Sequence, residues 1–285
     1  GQAGLVWGLH NSDLDPKRTK TSTRFIARLC GLLSRHLPDR IVSCSETAAR
    51  LHVQLGYDAN KFIVIPNGFD TDKFQPDRDA YDSVRRELAI PSDTRLVGLV
   101  ARLDPQKDHA NFIEAAGRVA ALHDDVRFVV VGAGCVPGAA ELQSWIASTG
   151  VAERFHLLGL RRDVPRLLAA LDLSVTSSAY GEAFPLVIGE SMSSGVPCVA
   201  TDVGDSAVII GDTGQVVPPR NARALADAIS AVLALGRVER ASLGRSARER
   251  VKARYSLPAV ASRYQSLYDE IYSQRGAREG GRRNG

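Results

Sequence analysis

The chain has 285 residues, 44% hydrophobic and 24% charged, with a formal net charge of +4. This predicts a globular protein with room for two domains, and it excludes a membrane-spanning one, because no apolar run approaches the roughly 20 residues such a helix needs. The positive charge is local: seven basic residues against one acidic from Lys17 to Arg40, four against one from Arg275 to Gly285, and a net acidic remainder. That argues against a general nucleic-acid surface.

The N-terminus lacks the basic, apolar and small-residue regions of a signal peptide. Cys30, Cys44, Cys135 and Cys198 are scattered without metal-ligand spacing, as small buried hydrophobes of a reducing compartment would be. A cytoplasmic protein is expected.

In chain order, Ala3 to Leu9 is an apolar run of strand length that ends at His10. A chain that opens on a strand without a methionine is expected to be a fragment. Residues 20–37 predict an amphipathic helix stopped by Pro38. Lys17, Lys20, Arg24, Arg28 and Arg35 form one stripe, and Phe25, Leu29, Leu32, Leu33 and Leu37 another. Two readings stand: a surface helix with its apolar side on a sheet and its basic side in water, or a basic stripe resting on anionic lipid head groups.

Arg40 to Cys44 reads as a strand, Glu46 to Leu55 as a helix capped by Ser45 and closed at Gly56, and Lys61 to Ile65 as a strand. Pro66-Asn67-Gly68-Phe69-Asp70 is a turn. From Arg95 onward, near-continuous apolar strands (95–101, 126–131, 155–158, 173–176, 196–200, 215–217) alternate with helices (108–122, 139–149, 165–170, 185–194). This pattern predicts a parallel sheet covered on both faces. Helices follow at 222–235, 238–255 and 260–272, and residues 276–285 are expected to be disordered.

Two stretches carry chemistry. Ala101 to Asp108 places Arg102 and Lys107 on a loop at the carboxyl end of a strand, where α/β sheets bind ligands. Alone, the same pair is also what an exposed surface looks like. The second stretch runs from Gly181 to Thr201. Pro185 is expected at the first helical position and Gly195 just past the end, so that Glu182 precedes the helix and Glu190 lies on it. The free N–H groups of Ala183, Phe184 and Leu186 would form an anion site between the two carboxylates. A Glu pair at this spacing is otherwise an ordinary solvated helix face.

Glu182 and Glu190 with seven residues between them, the Phe184-Pro185 turn, the small-residue helix and the following strand resemble the signature of family 4 retaining glycosyltransferases of GT-B fold. The resemblance implies an α/β chain of two Rossmann-like domains, the N-terminal one partial and the C-terminal one complete. Residues 1–72 would be the end of the acceptor-side domain, 73–257 the nucleotide-sugar-binding domain, 258–275 a helix crossing back, and 276–285 the tail. It implies retaining transfer from a UDP- or GDP-sugar to a hydroxyl of a lipid-linked or glycan acceptor, in bacterial polysaccharide, glycolipid or glycoconjugate synthesis, with no cofactor and no metal.

By the same resemblance His10 faces the cleft beside the donor sugar, although its spacing alone would also fit an exposed loop. Glu182 holds the sugar, Arg102 and Lys107 neutralise the diphosphate, and Ala183, Phe184, Pro185 and Leu186 line the donor site. Arg161 belongs to a loop under the base, and Glu190 accepts ribose hydroxyls. The family's first strands with their glycine-rich loop are absent, and Val208 stands where a Glu is common. The competing readings are a phosphorylase or nucleotide-sugar epimerase of the same fold, and a donor-binding module without transferase activity.

Overall fold

The computed structural model describes residues 4–283, with the main chain alone from 276. Ala3, Asn284 and Gly285, which fall in the expected first strand and tail, lie outside the described residues.

The chain opens with β1 (Val6–Leu9), α1 (Thr21–Leu33), β2 (Arg40–Ser43), α2 (Glu46–Gln54) and β3 (Phe62–Val64). The three strands form one parallel sheet in sequence order. After a connection containing α3 (Arg78–Glu87) come β4 (Arg95–Val100), α4 (His109–Ala120), β5 (Val126–Val131), α5 (Ala140–Ser148), β6 (Phe155–Gly159) and α6 (Val164–Ala169). Then follow β7 (Leu173–Thr176), α7 (Leu186–Ser193), β8 (Cys198–Thr201), α8 (Ser206–Ile210) and β9 (Gly214–Val217). The helices α9 (Ala222–Ala234), α10 (Arg237–Tyr255) and α11 (Leu257–Arg283) complete the described chain.

The second sheet is all parallel in the order β6-β5-β4-β7-β8-β9, a doubly wound arrangement that reverses between β4 and β7. Its strands read as continuous apolar runs because both faces are covered. Val97 and Leu99 point into the layer of α4, α5 and α9, while Leu96 joins a cluster with Val84 of α3 and Leu167 and Leu168 of α6. The first sheet is closed from the far end of the chain: Val42 and Ile65 pack on Val260, Leu267 and Ile271 of α11.

The chain crosses between the two units twice, side by side. Phe69 N–H donates to the Tyr255 carbonyl at 2.7 Å, and Leu257 N–H donates to the Phe69 carbonyl at 3.0 Å. The Phe69 ring stacks on Phe184 at 5.9 Å and lies over Gly189 of α7. Ala is ordinarily better than Gly inside a helix by about 1 kcal/mol. Here a Cβ would enter the Phe69 ring, which is buried and held by Phe184. Gly189→Ala is therefore expected to destabilise the protein by about 1–3 kcal/mol, read as a lower urea midpoint.

The structure corrects three expectations. Helix α1 packs by its small residues, not its large apolar ones. A Cβ on buried Gly31 would lie 3.1 Å from the Leu55 carbonyl, and the Ser34 hydroxyl bonds within the same contact. Phe25 and Leu32 are 67% and 65% exposed, and Ile26, Leu29, Leu33 and Leu37 are exposed with them. Within this chain the apolar stripe is left uncovered, and the contact with the rest of the first unit is made by small side chains.

Helix α11 keeps a helical main chain past residue 275, through part of the expected disordered tail. Ile271 and the Arg275–Asp39 ion pair at 2.7 Å dock it on the first sheet, and a docked helix propagates at little cost. Helices α3 and α8 were not expected at all. Asp77 caps α3 by accepting from Ala80 N–H at 2.9 Å.

Candidate active site

The loops after β4 and β7 leave the carboxyl ends of the two strands where the sheet order reverses, so they open toward the first unit. They are stitched together. Ala179 N–H donates to the Gln106 carbonyl at 2.8 Å, and the Ser177 hydroxyl donates to the Lys107 carbonyl at 2.7 Å. Between them and the end of β1 lies a cleft of about 680 Å³, lined among others by His10, Lys73, Lys107, Arg162, Glu182 and Glu190. That volume suits a drug-sized or nucleotide-sized ligand.

Glu182 is 9% exposed and forms an ion pair with Lys107, while the Ser178 hydroxyl donates to the same carboxylate oxygen at 2.7 Å. The turn that carries it is tight. Gly204, at φ +63°, packs against the Glu182 and Ala183 carbonyls, and a Cβ there would lie 2.8 Å from the Ala183 oxygen. Pro185 is the N-cap of α7, extended at φ −68° and ψ 108°, not its first helical residue. The ring-fixed φ fits both positions, and ψ decides between them. Gly195 takes the left-handed conformation after the helix at φ +74°.

No acceptor among the described residues meets the N–H groups of Ala183, Phe184 and Leu186. A helix start with free amides beside a lysine is an anion-binding geometry. Glu190 stands on the cleft wall one helical turn in. Burial raises its pKa above the ordinary glutamate value, partly offset by Lys73.

The structure brings together His10, Lys107, Glu182, Ala183, Phe184, Pro185, Leu186 and Glu190 on one cleft. Two arginines stand apart from its wall. Arg102 bonds Asp104 and Gln106 on its own exposed loop, at 3.2 Å each. Arg161 is held by Asp163 at 2.8 Å and by Glu87 at 2.7 Å. The hydrogen bond from Arg161 in turn holds the Asp163 carboxyl down to about 2. The neighbouring Arg162 faces the cleft instead, and Lys73 joins it from the connection between the units. Sequence reading missed both. Arg162 could have been weighed beside Arg161, since the two are adjacent in one loop and successive side chains need not point the same way.

Of the three Asp-x-Asp spacings, Asp77-Arg78-Asp79 opens α3, with Asp77 as its cap, and the other two also make bonds within the protein. Asp13 and Asp15 pair with Arg18, and Asp70 accepts from the main chain of Asp72 and Lys73. Among the described residues no cluster of three or more His, Cys, Asp or Glu side chains could hold a metal ion.

On the other side of the cleft mouth, the Arg18 guanidinium lies 4.0 Å from the Tyr180 ring centroid, just before Gly181. The loop that carries Glu182 is therefore touched from both units.

Two facing Rossmann-like units with a cleft between them define the two-domain GT-B class. The family model for glycosyl transferases group 1 matches residues 81–250, and that for glycosyltransferase family 4 matches residues 1–73. The chain belongs to the group 1 glycosyl transferases.

It is 33% identical over 159 residues to a UDP-Gal:alpha-D-GlcNAc-diphosphoundecaprenol alpha-1,3-galactosyltransferase of Escherichia coli, covering 55% of this chain and 41% of that one. It is 31% identical over 208 residues to the lipopolysaccharide core biosynthesis mannosyltransferase LpsB of Rhizobium meliloti, covering 70% and 57%. The chain thus spans about half the length of these relatives. Among solved structures, Anabaena Alr3699/HepE in complex with UDP matches with a TM-score of 0.83 at 25% identity, over 95% of this chain and 72% of that one.

Proposed function

We propose that this chain contributes the donor site of a retaining glycosyltransferase that moves a sugar from a UDP- or GDP-sugar to an acceptor hydroxyl in glycoconjugate synthesis, with no metal required. The observation that carries this reading is the meeting of Lys107, Glu182 and the free amides before α7 in one cleft. The UDP complex of the Anabaena protein favours uridine.

In this reading Lys107 and the amides of Phe184 and Leu186 receive the charge that develops on the leaving diphosphate. Glu182, freed from Lys107 as the phosphate takes its charge, holds sugar hydroxyls, and His10 supports the reacting face from the opposite wall. Glu190 accepts the ribose hydroxyls, Arg162 lies along the nucleotide, and Arg102 swings in from its exposed loop. The division of the chain near residues 72 and 257 belongs to the same proposal.

Calorimetric titration with UDP and GDP tests it. One nucleotide is expected to bind and to weaken at least tenfold in Glu190→Ala, about the worth of a lost charged hydrogen bond. Because burial raises the Glu190 pKa, affinity should fall on acidification already above the ordinary glutamate range. A chelator should change neither binding nor turnover. Binding without transfer or donor hydrolysis would instead make the chain a donor-binding module, and a free sugar phosphate or an epimerised donor would identify the other two reactions.

The acceptor side is proposed to work at the inner face of the cell membrane. No helix of the described residues is long and apolar enough to cross a membrane. What supports peripheral contact is the uncovered stripe of α1 with Phe25, Leu29 and Leu32, next to the basic stripe formed by Arg24 and Arg28 of the helix and by Lys17, Lys20 and Arg35 beside its ends. Removing Lys20, Arg24 and Arg28 by substitution to Glu is expected to weaken binding to phosphatidylserine vesicles at least roughly 100-fold, at about 1 kcal/mol per cation. Unchanged vesicle binding would sink this part.

A further inference from the structure

Asp205 is 2% exposed, and its carboxylate meets no cation among the described side chains. It belongs to the loop between β8 and α8 of the large unit, yet it accepts from two main-chain N–H groups of the small one: Glu46 at 2.7 Å and Thr47 at 3.0 Å. These are the first two residues of α2, whose third N–H, on Ala48, is taken by its own cap Ser45 at 3.0 Å. The free amides of that helix start are thus satisfied from both units, two of them by a carboxylate whose charge suits the positive end of the helix.

The main chain of the same residue holds the turn that borders the cleft. Asp205 N–H donates to the Ala183 carbonyl at 3.0 Å, and Gly204 packs on the Glu182 and Ala183 carbonyls. One short loop therefore grips the helix behind β2 of the small unit with its side chain and the turn carrying Glu182 with its backbone.

We propose that Asp205 is a positioning residue that holds the two units closed and ties that closure to the placement of the Glu182 turn. It touches no substrate, since it does not line the cleft. It fixes the distance across which His10 faces Glu182. Its effect on nucleotide affinity rests on the donor-site reading above, whereas its effect on closure does not.

The test alters each partner separately. Asp205→Asn removes the charge. Glu46→Pro removes one donor from the other side while keeping the helix, because proline suits the first helical position and the preceding Ser45 is already extended at φ −150° and ψ 153°. Spin labels on cysteines placed at the exposed Gln54 and Ala147, with Cys30 replaced by Ser, report the distance between the units.

One narrow distribution is expected for the parent protein. Each variant should broaden or lengthen it, and the double variant should fall short of the sum of the two single effects, as for two ends of one interaction. UDP affinity should fall roughly tenfold in Glu46→Pro, although residue 46 does not line the cleft. Unchanged distances in both variants would overturn the proposal, as would additive effects in the double variant. If the parent protein binds no UDP while the distances shift as stated, the donor reading fails and the closure role stands.

Discussion

Replacing Lys107 with Ala is expected to lower donor turnover, measured as UDP-sugar hydrolysis or transfer, by about 10²–10³-fold, the usual cost of one charge-stabilising group. Two losses add. The cation that would meet the developing diphosphate charge is gone, and Glu182, only 9% exposed, is left with the Ser178 hydroxyl and no cation. A buried carboxylate without its partner protonates or draws in water, and in either case no longer holds a sugar hydroxyl. Lys107→Arg should not restore the rate, because a planar fork cannot replace a compact ammonium in a site shaped around one oxygen. Arg102→Ala should cost far less, about tenfold, since its guanidinium starts from an exposed loop. Hydrolysis within threefold of the parent in Lys107→Ala would remove the leaving-group role.

The largest stability effect is expected at Asp172, far from the cleft. Its carboxylate accepts from the Arg85 guanidinium at 2.6 Å and from Leu96 N–H at 2.9 Å, with Arg240 at 3.4 Å. Arg85 is 3% exposed and packs 3.3 Å from the Tyr81 ring centroid, and burial already lowers its pKa. Asp172→Ala leaves that charge buried, which costs about 3–5 kcal/mol. At 2–4 °C per kcal/mol for a protein of this size, the melting temperature should fall by roughly 6–20 °C. Adding Arg85→Met should recover much of the loss, because an apolar pair of similar volume needs no compensating charge. A double variant as unstable as the single one would mean that the carboxylate acts through Leu96 and the strand instead.

The site was legible where local rules dominate. Gly195 marks the end of α7, and the spacing of Glu182 and Glu190 follows from where that helix begins. The strand pattern from Arg95 was equally plain, because strands covered on both faces carry apolar residues at most positions. Orientation was not legible. Arg161 and Arg162 are adjacent in a loop with no period, and it is Asp163 two residues on together with the distant Glu87 that holds Arg161 away from the cleft. In α1 two stripes were visible, but the packed contact is made at Gly31 and at Ser34 just past the helix end, which no hydrophobicity pattern marks. Nothing in the sequence singles out Asp205, since its partners are main-chain groups of Glu46 and Thr47 that carry no sequence signal.

The covering of the first sheet by α11 also sets an order in time. Val42 and Ile65 wait for Val260, Leu267 and Ile271, and the whole second unit lies between them in the chain. At about 5–20 residues per second, ribosomal synthesis leaves that apolar face open for roughly 10–40 s. The unit made later can finish folding first, because its sheet and its helices are continuous in the chain. The unit made earlier is completed last, when its final helix emerges and closes over a surface that chaperones have had time to find.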